Sequence, residues 1–179
     1  LIPLIDKDQE KAIKIATKII DTFEKVYEDK WLNMMRDKLG LFGVDDKDKF
    51  LILDLLTWMH QKKADYTNTF CHLMNENLNE DKNYEDKDFQ DWEKRWNERL
   101  KTNNNTPEKF IKLMKTVNPL IIPRNHKVEE VLRDAELNNL KPINQFIEIL
   151  SQPYTKNGDI LNYQIPSDLD EKYQTYCGT

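Results

Sequence analysis

Residues 118–130, reading NPLIIPRNHKVEE, constrain this chain more than any other stretch. Pro119 and Pro123 bracket an apolar run, Leu120-Ile121-Ile122, and three hydrogen-bonding side chains follow: Arg124, Asn125 and His126. Proline fixes φ, lacks an N–H, and pushes the residue before it out of the α region. The segment is therefore a stiff corner that helices run into and out of, not a loose linker.

Apolar residues on both sides of the corner recur at helical spacing. Asp6 is a candidate cap for a long first helix carrying Ile13, Ala16, Ile19, Ile20, Phe23, Val26 and Tyr27. The pattern continues through Trp31, Met34, Met35 and Leu39 until Gly40 and Gly43 stop it. Asp45 or Asp46 opens a second helix with Leu51, Ile52, Leu55, Leu56 and Met59, and a third covers residues 65–78. After a charged loop, Phe89, Trp92, Trp96 and Leu100 mark one face of a fourth helix. Thr106-Pro107-Glu108 starts a fifth, with Thr as cap and Pro in the first turn; Phe110, Leu113, Met114 and Val117 face inward. Beyond the corner, Val128, Val131, Leu132 and Ala135 line one helix, and Ile143, Phe146, Ile147 and Leu150 line the last. From Ser151 onward no periodicity remains. The expectation is an all-α, irregular multi-helix domain over residues 1–150, then an extended tail, residues 151–179, wrapping a surface.

Charge narrows the function classes. The net charge is −5, and the acid excess falls in residues 1–100, where 22 acidic residues meet 17 basic ones. A nucleic-acid surface needs a basic footprint, which is missing. No basic stretch runs into an apolar one at the start, so no secretory signal is expected, and no apolar run of membrane-spanning length occurs. Cys71 and Cys177 make no disulfide framework and sit in no metal-ligand spacing, which suits a reducing compartment.

Phosphate chemistry finds little to work with. Gly40, Gly43, Gly158 and Gly178 form no Gly-rich loop, and no kinase-type catalytic or metal-binding signature is present. The aspartates at 45–48 lack the alternating spacing of a calcium loop and read as a helix cap. Trp31, Trp58, Trp92 and Trp96, at helical spacings, read as core anchors rather than ligand platforms. Two readings stand for Arg124-Asn125-His126. In one, Asn125 caps the helix while Arg124 and His126 satisfy neighbouring carbonyls or carboxylates; in the other, the polar corner faces and braces a further domain. Cys177 reads either as a passive exposed thiol or as a redox group.

The order NP–IPRNH–VEE, then Gln152-Pro153-Tyr154, then Tyr173-Gln174-Thr175-Tyr176-Cys177-Gly178-Thr179, resembles the C-terminal end of the SelO family. Leu1-Ile2-Pro3-Leu4-Ile5, Trp31-Leu32, residues 35–41 (MRDKLGL) and residues 64–70 (ADYTNTF) agree with it, as do Trp92 and Trp96. These are pseudokinase-fold protein adenylyltransferases, also called selenoprotein O-like proteins. The resemblance covers nearly the whole chain and implies a parent that transfers AMP from ATP, with Mg or Mn, to Ser, Thr or Tyr hydroxyls of protein substrates. It implies a kinase-like core upstream that this chain lacks, so no catalytic, cofactor or metal residue is assigned here, and the chain alone is expected to be inactive. It also implies that Cys177 is the redox-active position, partnered by a residue of that core. The setting implied is the cytoplasm of a bacterial-type member, with neither nucleic acid nor membrane as partner. Two alternatives remain from the residues themselves: a stand-alone helical interaction module, and a thiol enzyme using Cys177 with His126 as base.

Overall fold

The computed structural model describes residues 2–76, 82–102, 106–156 and 160–167. Within them every regular element is helical. Eight α-helices follow in order: α1 (Gln9–Lys38), α2 (Asp48–Lys62), α3 (Tyr66–Leu73), α4 (Lys87–Lys101), α5 (Pro107–Val117), α6 (Asn125–Glu136), α7 (Lys141–Leu150) and α8 (Leu161–Gln164). Short 3₁₀ turns precede α1 and α4. The all-α class expected from periodicity is the class that forms.

The main core lies where α2, α3, α4 and α5 meet the last turns of α1. Phe89, Trp92, Trp96 and Leu100 bury the α4 face that their spacing picked out. Burying rings of this size contributes several kcal/mol gross each, at about 25 cal/mol per Å². Their polar handles are satisfied across elements. Trp92 Nε1 donates to the Leu51 carbonyl at 2.8 Å and Trp96 Nε1 to the Leu39 carbonyl at 2.9 Å. Trp58 Nε1 donates to Asp86, the cap of α4, at 3.2 Å. Trp58, Trp92 and Trp96 are thus anchors that also fix the angles between helices, while Trp31 packs partly buried against the same core.

Gly40 ends α1 and lets α5 cross it. Its φ is +68°, and the Leu41 N–H reaches back to the Arg36 carbonyl at 2.9 Å, closing the helix end. A Cβ at this position would lie 3.0 Å from Phe110 Cβ and 3.1 Å from the Phe110 carbonyl oxygen. Both the turn and the close approach therefore require glycine.

Several expected boundaries shift. Asp8, not Asp6, caps α1, accepting the N–H groups of Glu10 and Lys11; Asp6 accepts the Asp8 N–H and pairs with Lys11. Neither Asp45 nor Asp46 opens α2, whose cap position is Lys47. α3 stops at Leu73, because Asn75 turns left-handed at φ 56° and the Glu76 N–H bonds the Cys71 carbonyl. In the α6–α7 hairpin, Val131 and Phe146 are buried, but Leu132 and Ile147, expected to line inner faces, are exposed. The described part of the tail runs over the surface with one added feature, the single turn α8. Its Ile160 and Gln164 are buried, and Tyr163 stacks on Phe146 at 5.1 Å.

Candidate functional site

The proline corner sits at the centre of a closed ring of polar contacts. Asn118, buried, donates through Nδ2 to the Lys38 carbonyl at 2.8 Å, tying the corner to the end of α1. The Leu120 N–H bonds the Pro153 carbonyl at 2.7 Å, and Leu120 and Ile121 fill the core. Arg124 follows Pro123 in extended backbone at the cap position of α6. The guanidinium turns inward. Its two terminal nitrogens donate to the two oxygens of Asp65 at 2.8 and 2.9 Å, one of them also reaches Asn68 Oδ1 at 3.3 Å, and Nε reaches the Tyr163 carbonyl at 3.3 Å. Asp65 caps α3 by accepting the Asn68 N–H at 2.8 Å. Asn68 Nδ2 donates to the Gln164 carbonyl, and Gln164 Nε2 donates back to the Leu120 carbonyl, each at 3.0 Å. The ring joins residues up to 96 positions apart.

Burial by itself would raise the pKa of Asp65, but the Arg124 guanidinium and the N–H groups of the α3 cap hold its carboxyl below the ordinary carboxylate value. The carboxylate is therefore charged and fully committed as an acceptor, and the guanidinium is spent on it bidentately. Such a pair is a fastener, with no proton to give and no spare donor fork for a substrate.

The two neighbours behave differently. Asn125 is the first residue of α6 and exposed, so it does not cap the helix; the cap position one residue earlier belongs to Arg124, whose side chain is turned away. His126 is half buried in the first turn of α6. Cys71 lies against the inner side of the corner, fully buried, with Sγ donating weakly to the Pro119 carbonyl at 3.7 Å and the Leu120 carbonyl at 3.9 Å. Burial pushes its thiol up to about 12, with Asp65 and Glu76 adding to the shift, so it is not a nucleophile at neutral pH. Cys177 lies outside the described residues.

A second charged cluster escaped the sequence reading. Asp48 takes Arg36 Nε on Oδ2 at 2.7 Å and Arg99 Nε on Oδ1 at 2.7 Å, and its Oδ2 also accepts the Asp45 N–H at 3.1 Å. Arg99 continues to the Phe42 carbonyl at 3.2 Å. All three side chains are buried. Burial raises the Asp48 pKa, but the two guanidiniums outweigh that and leave it below its ordinary value. The aspartates read as a helix cap thus include the centre of an ion triad linking α1, α2 and α4. A signal existed: Asp48, Arg36 and Arg99 occupy positions three or four residues from buried apolar ones. Nearby, Lys38 is buried with Nζ 4.6 Å from the centre of the Phe70 ring, and burial lowers its pKa.

Little else invites a ligand. A cleft of about 340 Å³ between the end of α1 and α5 is bordered by Arg36, Asp37, Phe42 and Leu113, but its one guanidinium is already held by Asp48. Among the described residues, no group of three or more His, Cys, Asp and Glu side chains could hold a metal ion. No helix among them is long and apolar enough to cross a membrane.

Known proteins resemble this chain along its whole length. Residues 3–151 match the family described as protein adenylyltransferase SelO. A protein nucleotidyltransferase YdiU of Pelagibacter ubique is 51% identical over 180 residues, covering 100% of this chain and 37% of that protein. Proteins of the same name from Alcanivorax borkumensis and Clostridium perfringens are 41% and 40% identical, with the same shares covered. The chain thus spans little more than a third of the length of the curated relatives it matches. With the family match reaching from the first 3₁₀ turn through the proline corner to the end of α7, the chain belongs to the SelO family of protein adenylyltransferases.

Proposed function

We propose that this chain is the C-terminal helical part of a protein adenylyltransferase whose remaining portion carries the nucleotide chemistry. The parent transfers AMP from ATP, with Mg or Mn, to Ser, Thr or Tyr hydroxyls of protein substrates in the bacterial cytoplasm. The observation that carries the reading is the family match along the chain, joined to relatives named protein nucleotidyltransferase that are far longer. Among the described residues, Gly40 is taken up by a helix end and a helix crossing, and no group of three or more His, Cys, Asp and Glu side chains could hold a metal ion. No step is therefore assigned to them, and residues 1–179 alone are expected to be inactive. Their role is to support the core, with the Arg124–Asp65 fastener holding the corner in shape. Cys177 acts as the redox-active group, pairing with a cysteine of the core; this rests on the family resemblance.

The test compares the full-length parent with residues 1–179, using labelled ATP, Mg or Mn, and protein acceptors. Label should enter protein only with the full-length chain. Transfer by residues 1–179 alone, or none by the full-length protein, would overturn the reading. Mass spectrometry of the oxidised parent should find Cys177 in a disulfide, and a free Cys177 there would remove its regulatory role.

A further inference from the structure

We propose that the stripe on α1 between residues 13 and 27 is the surface on which the remaining, larger part of the same polypeptide packs in the full-length protein. This rests on the reading above that the chain is one part of a longer transferase.

The stripe is an apolar face with no cover. Ile19, Ile20, Phe23, Val26 and Tyr27 each leave more than half of their surface in water, and Ile13 nearly half. They recur at spacings of three and four, so they fall on one side of the helix. Lys14, Lys18, Asp21, Lys25 and Glu28 occupy the complementary spacing and make the other side charged. Phe23 and Tyr27 stack on each other with centroids 6.0 Å apart, presenting a joint aromatic surface. The same helix is treated quite differently further on, where Met35 and Leu39 are fully buried in the main core. One continuous helix therefore has a half packed inside this chain and a half built for packing against something else. An apolar patch of this extent marks a contact surface.

Length and position choose the occupant. The relatives are covered over only 37% of their length, so 63% (100 − 37) of such a protein lies outside this chain. The described chain enters at Ile2–Leu4, which packs against the start of α1, and Leu4 is 84% exposed there. If the larger part lies upstream, as the reading above has it, it joins the chain at this end of the stripe. A second copy fits less well. The stripe runs for about two heptads, whereas a self-sufficient two-helix seam sustains three or four. A stripe this short needs a broad apolar surface, such as a folded domain offers.

Hydrogen exchange on the full-length protein tests this without reference to activity. Amides of residues 13–27 should be protected to within about tenfold of those in α4, as in a packed helix. The double variant Ile20→Glu/Phe23→Glu keeps helix-forming residues and should lose that protection, while the protein stays monomeric before and after. If the wild-type amides exchange about a hundredfold or more faster than those of α4, the stripe is uncovered and the proposal falls. If the wild type is a dimer and the double variant a monomer, the occupant is a second copy and the proposal falls equally. Nucleotide transfer is measured on the same samples. A protected stripe in an inactive protein overturns the transferase reading alone; an unprotected stripe in an active one overturns the docking surface alone.

Discussion

The two arginine–aspartate clusters look alike in composition and differ in what they hold. In the Arg36–Asp48–Arg99 triad, one carboxylate with no exposed surface sits between two guanidiniums, joining α1, α2 and α4 inside the main core. At the corner, one guanidinium meets one carboxylate that is still about a fifth exposed, and the pair joins α6 to α3 with the help of two amide side chains and the turn of α8. In the first cluster the shared carboxylate has no exposed surface, so removing it leaves two guanidiniums that are about nine-tenths buried without their counter-charge. The second can recover part of its solvation. A buried ion pair adds little over a well-packed apolar replacement, but breaking one strands a charge. The difference between the clusters is therefore a difference in how badly the survivors are stranded.

The largest effect should follow Asp48→Ala. It leaves two buried guanidiniums facing each other with no counter-charge and should cost about 3–5 kcal/mol in urea unfolding. A loss under about 1 kcal/mol would mean that the triad is solvated and the contrast is false. Arg124→Ala should cost less, about 2–3 kcal/mol, because Asp65 keeps its cap bond to Asn68 and can turn to water. It should also speed amide exchange in residues 161–164, whose anchor is this network; a loss equal to that at Asp48 would erase the distinction.

Acid should dissolve both clusters in the same direction. Asp48 and Asp65 both have folded-state pKa values below their ordinary 3.8. The unfolded chain therefore takes up protons first as pH falls. The stability these groups contribute is complete above that ordinary value and is lost as pH drops through the folded one. Stability measured from pH 6 downward should fall through this window. Asp65→Asn should flatten part of the fall and Asp48→Asn another part, and an unchanged slope in both would refute the assignment. The smallest effect belongs to Asn125→Ala. Asn125 is exposed and does not cap α6, so its loss should stay within about 0.5 kcal/mol. A loss of about 1 kcal/mol would restore it as the cap.

The sequence by itself determined the helical class, most helix faces and the family. Phe89, Trp92, Trp96 and Leu100 repeat at a spacing only a helix turns to one side, so α4 could be read before any neighbour was known. The same holds for the proline corner, because the φ of Pro119 and Pro123 is a covalent property that no tertiary contact needs to supply. Choices among equivalent neighbours were not legible. Asp6 and Asp8 are both good caps, and only the path of the entering chain gave the role to Asp8. At the proline corner, Asn125 has the better capping side chain, yet backbone geometry put Arg124 in the position. Periodicity also could not say where an apolar face finds a partner: Ile20 and Met35 belong to one recurring pattern on α1, yet the first is exposed and the second buried. The charged pairs were the least legible. Arg99 and Asp48 are 51 positions apart and Arg124 and Asp65 are 59 apart, and each contact exists only because several helices have already packed. Local spacing encodes which side of a helix is apolar, because 3.6 residues per turn is a property of the backbone alone. Which charges meet across that packing is set by the position of every helix at once, and only the tertiary structure decided it.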